Sequence, residues 1–346
     1  MNYKYDTLVF IGRFQPFHIG HEQVIRTALT LADNVIVLIG SANQPRTIKN
    51  PWTYLERVGM IADGLNLSRM DAGRVTYAPL PDASYNDQKW AANVQAVVDN
   101  ITSAHREIKG QLKIGIIGHA KDSSSYYLKM FPQWEMVEHD MNEVISATDL
   151  RGIMFEGKNI RFIQGLLPSS VFDFVSSWRA TPEFAVLLEE HIHIQKYKEA
   201  WKAAPYAPTF VTTDAVVVQS GHILLIQRRA APGKGLWALP GGFLEQEEYL
   251  VDGMLRELRE ETKLKVPAPV LKGSIVNTRV FDKPDRSLRG RTITHAFLIQ
   301  LPPGELPPVK KGSDAAEATW VPISDVKEEL MFEDHHAIIQ HMLGSV

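Results

Sequence analysis

Leu8-Val9-Phe10-Ile11, followed at once by Gly12-Arg13-Phe14-Gln15-Pro16-Phe17-His18-Ile19-Gly20-His21, is the stretch that decides the fold of the first half of the chain. A short apolar run between polar flanks reads as a buried strand. The amphipathic stretch from Glu22 to Ala32 behind it reads as a helix. The turn between them holds two histidines three positions apart, with Gly20 between them. Both can face a phosphate lodged at the helix start, where free amides and the dipole favour an anion.

Outward from this turn the same rhythm recurs. Val35 to Ile39 reads as a strand, Tyr54 to Leu65 as a helix, Val75-Thr76-Tyr77 as a strand, about Lys89 to Ile101 as a helix, and Ile114 to Gly118 as a strand. Alternating strands and helices give a parallel sheet covered on both faces. Ligands of such sheets sit beyond the carboxyl ends of the strands, so the loops after Ile11, Ile39 and Ile117 should line one site. A helix from Pro182 to about Lys202 follows and is broken by Ala203-Ala204-Pro205-Tyr206-Ala207-Pro208, because proline removes a donor and disfavours helix before it. The expected domains are therefore 1–180, a helix and proline-containing linker at 181–208, and 209–346. Beyond the linker, Ala215 to Val218, a turn at Ser220-Gly221 and Ile223 to Ile226 read as a hairpin. One strong helix, strands near Gly273–Val280 and Thr292–Leu301, and a C-terminal helix from about Asp334 to Met342 complete a mixed α/β domain. The order of elements differs from the first half, so the halves are not repeats.

The length exceeds what a single hydrophobic core usually organises, which agrees with two domains. The formal net charge is −3, with acidic and basic residues interspersed. This argues against nucleic acid and for small anionic ligands. There is no cysteine, which excludes disulfides, thiolate metal sites and a cysteine nucleophile, and is compatible with a reducing compartment. No signal peptide and no membrane-spanning segment is legible, so the expected location is the cytoplasm. Homo-oligomerisation is left open by the sequence.

The second motif begins at Gly242. Glu248 follows, then Arg256-Glu257-Leu258-Arg259-Glu260-Glu261. On a helix Glu257, Glu260 and Glu261 share one face. Three carboxylates there are costly unless a cation joins them, and hard oxygen ligands favour Mg²⁺ or Mn²⁺. Such a cluster can hold a diphosphate and acidify a water. Taken alone, a glutamate-rich helix face is ordinary solvated surface. The preceding Gly233-Lys234-Gly235-Leu236-Trp237-Ala238-Leu239-Pro240-Gly241-Gly242 supplies a tight turn into the helix.

The first motif, with Ile145-Ser146-Ala147-Thr148-Asp149-Leu150-Arg151 where a later helix would start, resembles the nucleotidylyltransferase superfamily, and within it the archaeal-type nicotinamide mononucleotide adenylyltransferases. The resemblance covers about Lys4 to Ser177 and implies a Rossmann-like α/β domain with a parallel sheet. It implies that His18 and His21 hold the phosphates of ATP and that Arg13 and Arg151 clamp them. Ser146 and Thr148 would supply donors at the second helix start. Gly12, Phe14, Ser41, Asn50 and Trp52 would lie on or around the substrates, Trp90 would stack on the nicotinamide ring, and Gly118, His119, Lys121 and Asp122 would face the adenosine. By themselves Trp52 and Trp90 read equally as core residues, Arg151 as half of an ion pair and Ser146 as a helix cap. Ala147 stands where that family often has a second serine.

The second motif resembles the Nudix box, over about Thr209 to Val346, and implies a mixed α/β Nudix hydrolase domain. Glu257, Glu260 and Glu261 would be metal ligands, Arg256 would orient a glutamate, Glu248 would lie outside the ligand set, and Gly241 and Gly242 would contact substrate. The general base is left among Glu257, Asp314 and Glu317. Lys263 replaces the glycine of that pattern just after the helix. Arg289-Gly290-Arg291 resembles a segment of ADP-ribose-type Nudix members, so Arg289 and Arg291 are expected at the substrate.

Together the two halves resemble the fused nicotinamide mononucleotide adenylyltransferase and ADP-ribose pyrophosphatase family. The resemblance implies Mg²⁺ (or Mn²⁺) in both domains and ATP, nicotinamide mononucleotide and ADP-ribose as partners. The alternatives are a Nudix half that only senses an NAD-derived metabolite, and a first half that adenylylates another phosphorylated acceptor.

Overall fold

The computed structural model describes residues 3–119, 127–139, 145–312 and 315–344. The chain divides into two compact units, 1–188 and 189–346. Among the described residues no helix is long and apolar enough to cross a membrane.

The first unit runs β1 (Tyr5–Gly12), α1 (Ile19–Leu31), β2 (Ala32–Gly40), α2 (Tyr54–Leu65), α3 (Arg69–Ala72), β3 (Val75–Leu80), α4 (Asp87–Lys109), β4 (Ile114–Gly118), β5 (Glu135–Glu138), α5 (Ala147–Phe155) and α6 (Ser169–Trp178), and α7 (Pro182–Ala200) begins in it and continues into the residues of the second. Its five strands are all parallel in the order β3-β2-β1-β4-β5. Successive side chains of a strand face opposite sides, and here both sides are dry. Leu8, Phe10, Val35, Val37 and Ile39 join one core with α1, α2, α5 and α6. Val9, Ile11, Ile36, Leu38 and Ile116 join the other with α4. This is why the strands read as unbroken apolar runs. The direction of winding changes between β1 and β4, and a crevice opens at their carboxyl ends.

The second unit contains β6 (Thr209–Gln219), β7 (His222–Arg228), β8 (Trp237–Ala238), β9 (Gly241–Phe243), α8 (Leu250–Thr262), α9 (Ala268–Gly273), β10 (Ile275–Phe281), β11 (Arg291–Gln300), β12 (Ala315–Pro322) and α10 (His335–Leu343). Its mixed sheet has the order β10-β11-β6-β7-β12, with β8 on β7 and β9 on β6. The β11–β6 pair is parallel and the others are antiparallel. The β6–β7 hairpin turns at Ser220 and Gly221, which both have positive φ (47° and 75°), the geometry whose twist suits a two-residue hairpin. Helix α8 lays Met254, Leu255 and Leu258 against Ala215, Val217 and Leu224 of the sheet. Glu261 is buried along the same side, Glu257 stands at its edge, and Glu260 faces outward.

The segment expected as a linker is not a free connector. Phe184 and Leu187 at the start of α7 belong to the core of the first unit, and Tyr197 near its end, already within the second unit, packs edge-on against Phe210 of that same unit.

Candidate active sites

In the first unit, β1 ends at Gly12 because the chain must turn sharply there. A Cβ on Gly12 would stand 2.8 Å from the ring of Phe14, and Phe14 itself adopts φ 52°. Gln15, buried, fixes the next step by accepting from the Trp52 amide (3.1 Å) and donating to the Trp52 carbonyl (2.9 Å). The turn then delivers His18 as the residue before α1. Its backbone N–H donates to His21 Nδ1 at 3.3 Å, and the two imidazoles stack at 3.6 Å. Burial, and then the neighbouring His18, push the pKa of His21 well below 6.5. A neutral ring whose Nδ1 accepts a bond carries its proton on Nε2. His21 is therefore a neutral donor at physiological pH.

A cavity of about 350 Å³ opens over this turn, lined among others by Arg13, Gln15, His18, His21, His119, Ser146, Thr148 and Arg151. The starts of α1 and α5 both open into it. Ser146 caps α5, its Oγ accepting from the Asp149 amide at 3.3 Å. Arg151 is buried yet polar-bonded, donating to the Gln15 carbonyl (2.6 Å) and to Thr148 Oγ1 (3.2 Å). Burial, followed by Arg13, lowers its pKa to about 10, which leaves it charged at neutral pH. The first unit thus brings together Arg13, His18, His21, His119, Ser146, Thr148 and Arg151.

Other expected residues fall elsewhere. Trp52 is 1% exposed and packs on Trp178 at 5.3 Å, so it is a core residue that touches the site only through its backbone bonds to Gln15. Trp90 is half-buried between Tyr127 and Phe131 (6.0 and 6.1 Å) and does not line the cavity; Tyr127 does. Ser41 is buried with φ 50°, and Asn50 closes a turn with Thr47. The loop after Ile39 does not line the cavity, contrary to expectation. Gly118 abuts Leu128. Lys121 and Asp122 lie outside the described residues.

Arg57 was missed by sequence reasoning. Its guanidinium, fully buried, donates to the carbonyls of Thr53 (3.2 Å), Arg13 (2.8 Å), Gly40 (2.6 Å) and Ser41 (3.2 Å). It ties the loop after β1 to the loop after β2. The signal was an arginine on the apolar face of α2, in helical register with Met60, Ile61 and Leu65.

In the second unit, β9 and α8 form the site. A Cβ on Gly242 would stand 2.5 Å from the Glu257 carboxylate, so only glycine lets the strand approach the helix this closely. Gly241 N–H donates to Glu261 Oε2 at 3.0 Å. Burial raises the pKa of Glu261 to about 8, with the charge of Glu257 adding to the effect. Burial also raises that of Glu257. Arg256 gathers the acids: it contacts Glu248 at 2.6 Å, Glu257 at 2.7 Å and Glu260 at 3.5 Å. Glu248 is thereby committed to Arg256. Glu260 is 57% exposed. Lys263 ends α8 in the left-handed conformation (φ 51°) expected of the glycine it replaces, with its N–H bonded to the Arg259 carbonyl.

Among the described residues no three histidine or carboxylate side chains converge into a finished metal cage. The donors nevertheless fit a hard divalent cation in kind. Burial raises the pKa of both Glu257 and Glu261, and the charge of Glu257 adds to the rise at Glu261, a conflict that a cation removes. Glu317 is exposed on β12, and Asp314 lies outside the described residues. The Arg291 guanidinium donates to the Asp282 carbonyl. Arg289 lies 5.1 Å over the Phe243 ring and 4.0 Å from Glu333.

One unit with a parallel sheet and an arginine- and histidine-lined cavity, and one with a mixed sheet and a carboxylate helix, define a nucleotide-handling protein with a nucleotidyltransferase-like and a Nudix half. A cytidylyltransferase-like family model matches residues 9–153 and a NUDIX domain model matches residues 208–342. The solved structure of a bifunctional NMN adenylyltransferase/ADP ribose pyrophosphatase from Francisella tularensis, complexed with AMP and Mn ion, is 36% identical, covers 99% of both chains and superimposes with a TM-score of 0.90. A nicotinamide/nicotinic acid mononucleotide adenylyltransferase of Acinetobacter baylyi is 41% identical over 190 residues, 55% of this chain and 95% of its own. An ADP-ribose pyrophosphatase of Methanocaldococcus jannaschii is 36% identical over 147 residues, 42% of this chain and 80% of its own. The chain belongs to the family of bifunctional NMN adenylyltransferase/ADP-ribose pyrophosphatases.

Proposed function

We propose that the first unit transfers the adenylyl group of ATP to nicotinamide mononucleotide, giving NAD⁺ and pyrophosphate, and that the second hydrolyses ADP-ribose to AMP and ribose 5-phosphate. The observation that carries the first half is the opening of two helix starts, two arginines and three histidines into one cavity. The phosphate of the mononucleotide attacks the α-phosphorus of ATP in line, and the bond to the β-phosphate breaks. Negative charge then grows on the transferring and leaving oxygens. Arg13 and Arg151 are placed to neutralise it, and His18 and the Nε2–H of His21 to donate to it. Among the described residues lining the cavity the charged side chains are arginines, which suits a triphosphate.

In the second unit Glu257 and Glu261, with Glu260 swung in from solvent, would hold Mg²⁺ or Mn²⁺. Such an ion, when bound, neutralises a diphosphate and makes a water more acidic. Gly241 orients Glu261, and Arg256 orients Glu257. We assign the water's proton to Glu257, which stands against Gly242 beside Glu261 and whose pKa burial raises. These substrates are intracellular nucleotides, so the cytoplasm is the expected compartment.

The test is a substrate panel on the intact chain with Mg²⁺ and with Mn²⁺, separating products by chromatography. NAD⁺ with pyrophosphate, and AMP with ribose 5-phosphate, are expected. ADP-ribose bound but left intact would convert the second unit into a sensor, and no NAD⁺ from either nicotinamide or nicotinate acceptors would overturn the first.

A further inference from the structure

Leu239 and Pro240 join β8 to β9 and fall outside both ladders. Leu239 is 1% exposed, and a buried amide without an acceptor costs stability. The acceptor comes from 96 positions further along the chain, where His335 Nδ1 takes the Leu239 N–H at 2.9 Å. His335 opens α10 and is itself buried. Burial lowers its pKa below 6.5, which keeps the ring neutral and Nδ1 able to accept. The start of α10 is fixed in turn. Asp334 accepts from Nε and Nη2 of Arg286 at 2.9 and 2.8 Å, in a pair that is almost wholly buried. Phe332 donates its N–H to the Trp237 carbonyl at 2.8 Å, and its ring meets that of His335 edge-on at 5.5 Å. Beyond Leu239 the chain is equally constrained. Pro240 has a fixed φ, and its carbonyl accepts from the Ala215 amide at 2.9 Å. Gly241 is seated so tightly that a Cβ there would stand 2.2 Å from the Thr213 carbonyl. Its N–H is the one that holds Glu261 Oε2 at 3.0 Å. The amide that His335 holds and the amide that holds Glu261 therefore lie on one stiff segment, with only Pro240 between their residues.

We propose that His335 is a positioning residue for the hydrolysis carried out by the second unit: by fixing Leu239 it sets the place of the Gly241 amide and, through that amide, of the Glu261 carboxylate. The proposal rests on the reading of that unit as a metal-dependent hydrolase, and it adds a residue from the far end of the chain to the glutamate motif. His335 acts on the metal site through Leu239, Gly241 and Glu261 in turn. The loss of such an outer partner of a metal ligand costs about ten- to a hundredfold in metal affinity or activity. A histidine that only packs would cost stability and leave the metal affinity of the folded protein unchanged.

The test uses the intact chain and three readouts: ADP-ribose kinetics, Mn²⁺ binding by electron paramagnetic resonance with Glu261→Gln as the blank, and thermal unfolding. His335→Phe keeps a ring against Phe332 and removes the acceptor. It should raise the Mn²⁺ Kd about tenfold and lower kcat about tenfold, with KM for ADP-ribose within about threefold. His335→Asn, whose Oδ1 stands close to the place of Nδ1, should restore both to within about threefold of wild type. Ile338 is fully buried in the same helix, so Ile338→Ala loosens α10 while leaving His335 in place. It should lower the unfolding temperature and keep Kd and kcat within about twofold. If His335→Phe binds Mn²⁺ and turns over like wild type, or Ile338→Ala weakens both as much, the positioning role is refuted while the hydrolase reading stands. If His335→Phe does not fold, His335→Gln takes its place: its acceptor sits one carbon further out, so it should weaken Mn²⁺ binding where His335→Asn does not, and equal values overturn the role. If the wild type binds Mn²⁺ but cleaves no ADP-ribose, the hydrolase reading fails, and the Kd values alone support or overturn the role. A wild type that binds no Mn²⁺ above the blank overturns both.

Discussion

Burial within α8 raises the Glu261 carboxyl to about pH 8, against an ordinary value near 4.5 in the unfolded chain. A carboxyl raised on folding favours the native state while protonated, so its contribution is complete below the unfolded value and is lost as pH rises through the folded one. In metal-free protein the second unit should therefore lose stability between pH 5 and 8, and Mn²⁺ should restore more at pH 8 than at pH 6. Glu261→Gln should flatten both responses. A metal-free unfolding temperature that rises over this interval equally in wild type and Glu261→Gln would contradict the assignment. The motif residues were legible because their chemistry demands fixed types at fixed spacings: His18 and His21 share the start of α1, and Glu257 and Glu261 one face of α8. The tryptophans were not. Trp52 and Trp90 read alike in sequence, and only packing shows that one lies in the core on Trp178 while the other stands behind Tyr127. Arg291 bonds the Asp282 carbonyl, a contact that a basic segment does not disclose.

At the scale of elements, α2 acts as a bracket. Arg57 replaces backbone partners that the loops after β1 and β2 would otherwise lack, and a buried carbonyl without a donor is costly. Arg57→Met keeps most of the packing volume and removes every bond. It should destabilise the first unit by about 3 kcal/mol and depress NAD⁺ synthesis by misplacing Arg13. Hydrolysis of ADP-ribose should be unchanged. Thermal unfolding with parallel assays decides, and an Arg57→Met protein of wild-type stability and full synthesis would refute the bracket. Helices and strands with one clear apolar period were foreseen to within a few residues. Helix α1 starts earlier than Glu22 because His18 serves as its cap, and α4 outruns Lys89–Ile101 because Asn86 caps it and Ala91, Val94, Val98 and Thr102 extend one buried face. The two-residue β8 and the parallel β11–β6 pairing were illegible, since short strands carry no period and partner choice is a long-range property.

On the scale of the whole molecule, each constellation is assembled by residues of one unit: Arg13 to Arg151 in the first, Gly241 to Glu261 in the second. Helix α7 crosses the division, with Phe184 and Leu187 in one core and Tyr197 on Phe210 in the other unit. A proline break marked its end in the sequence, whereas its part in both units depends on packing that no local pattern encodes. The central claim is that one chain carries two chemistries on two independent sets of residues. The most direct measurement is both activities in the same preparations of wild type, His21→Ala and Glu261→Gln, each checked for folding by circular dichroism. His21→Ala should lose at least about a hundredfold in NAD⁺ synthesis, the scale of a lost transition-state donor, and retain ADP-ribose hydrolysis within about twofold. Glu261→Gln should show the reverse. A folded variant of either kind that loses both activities together, or neither, contradicts the account.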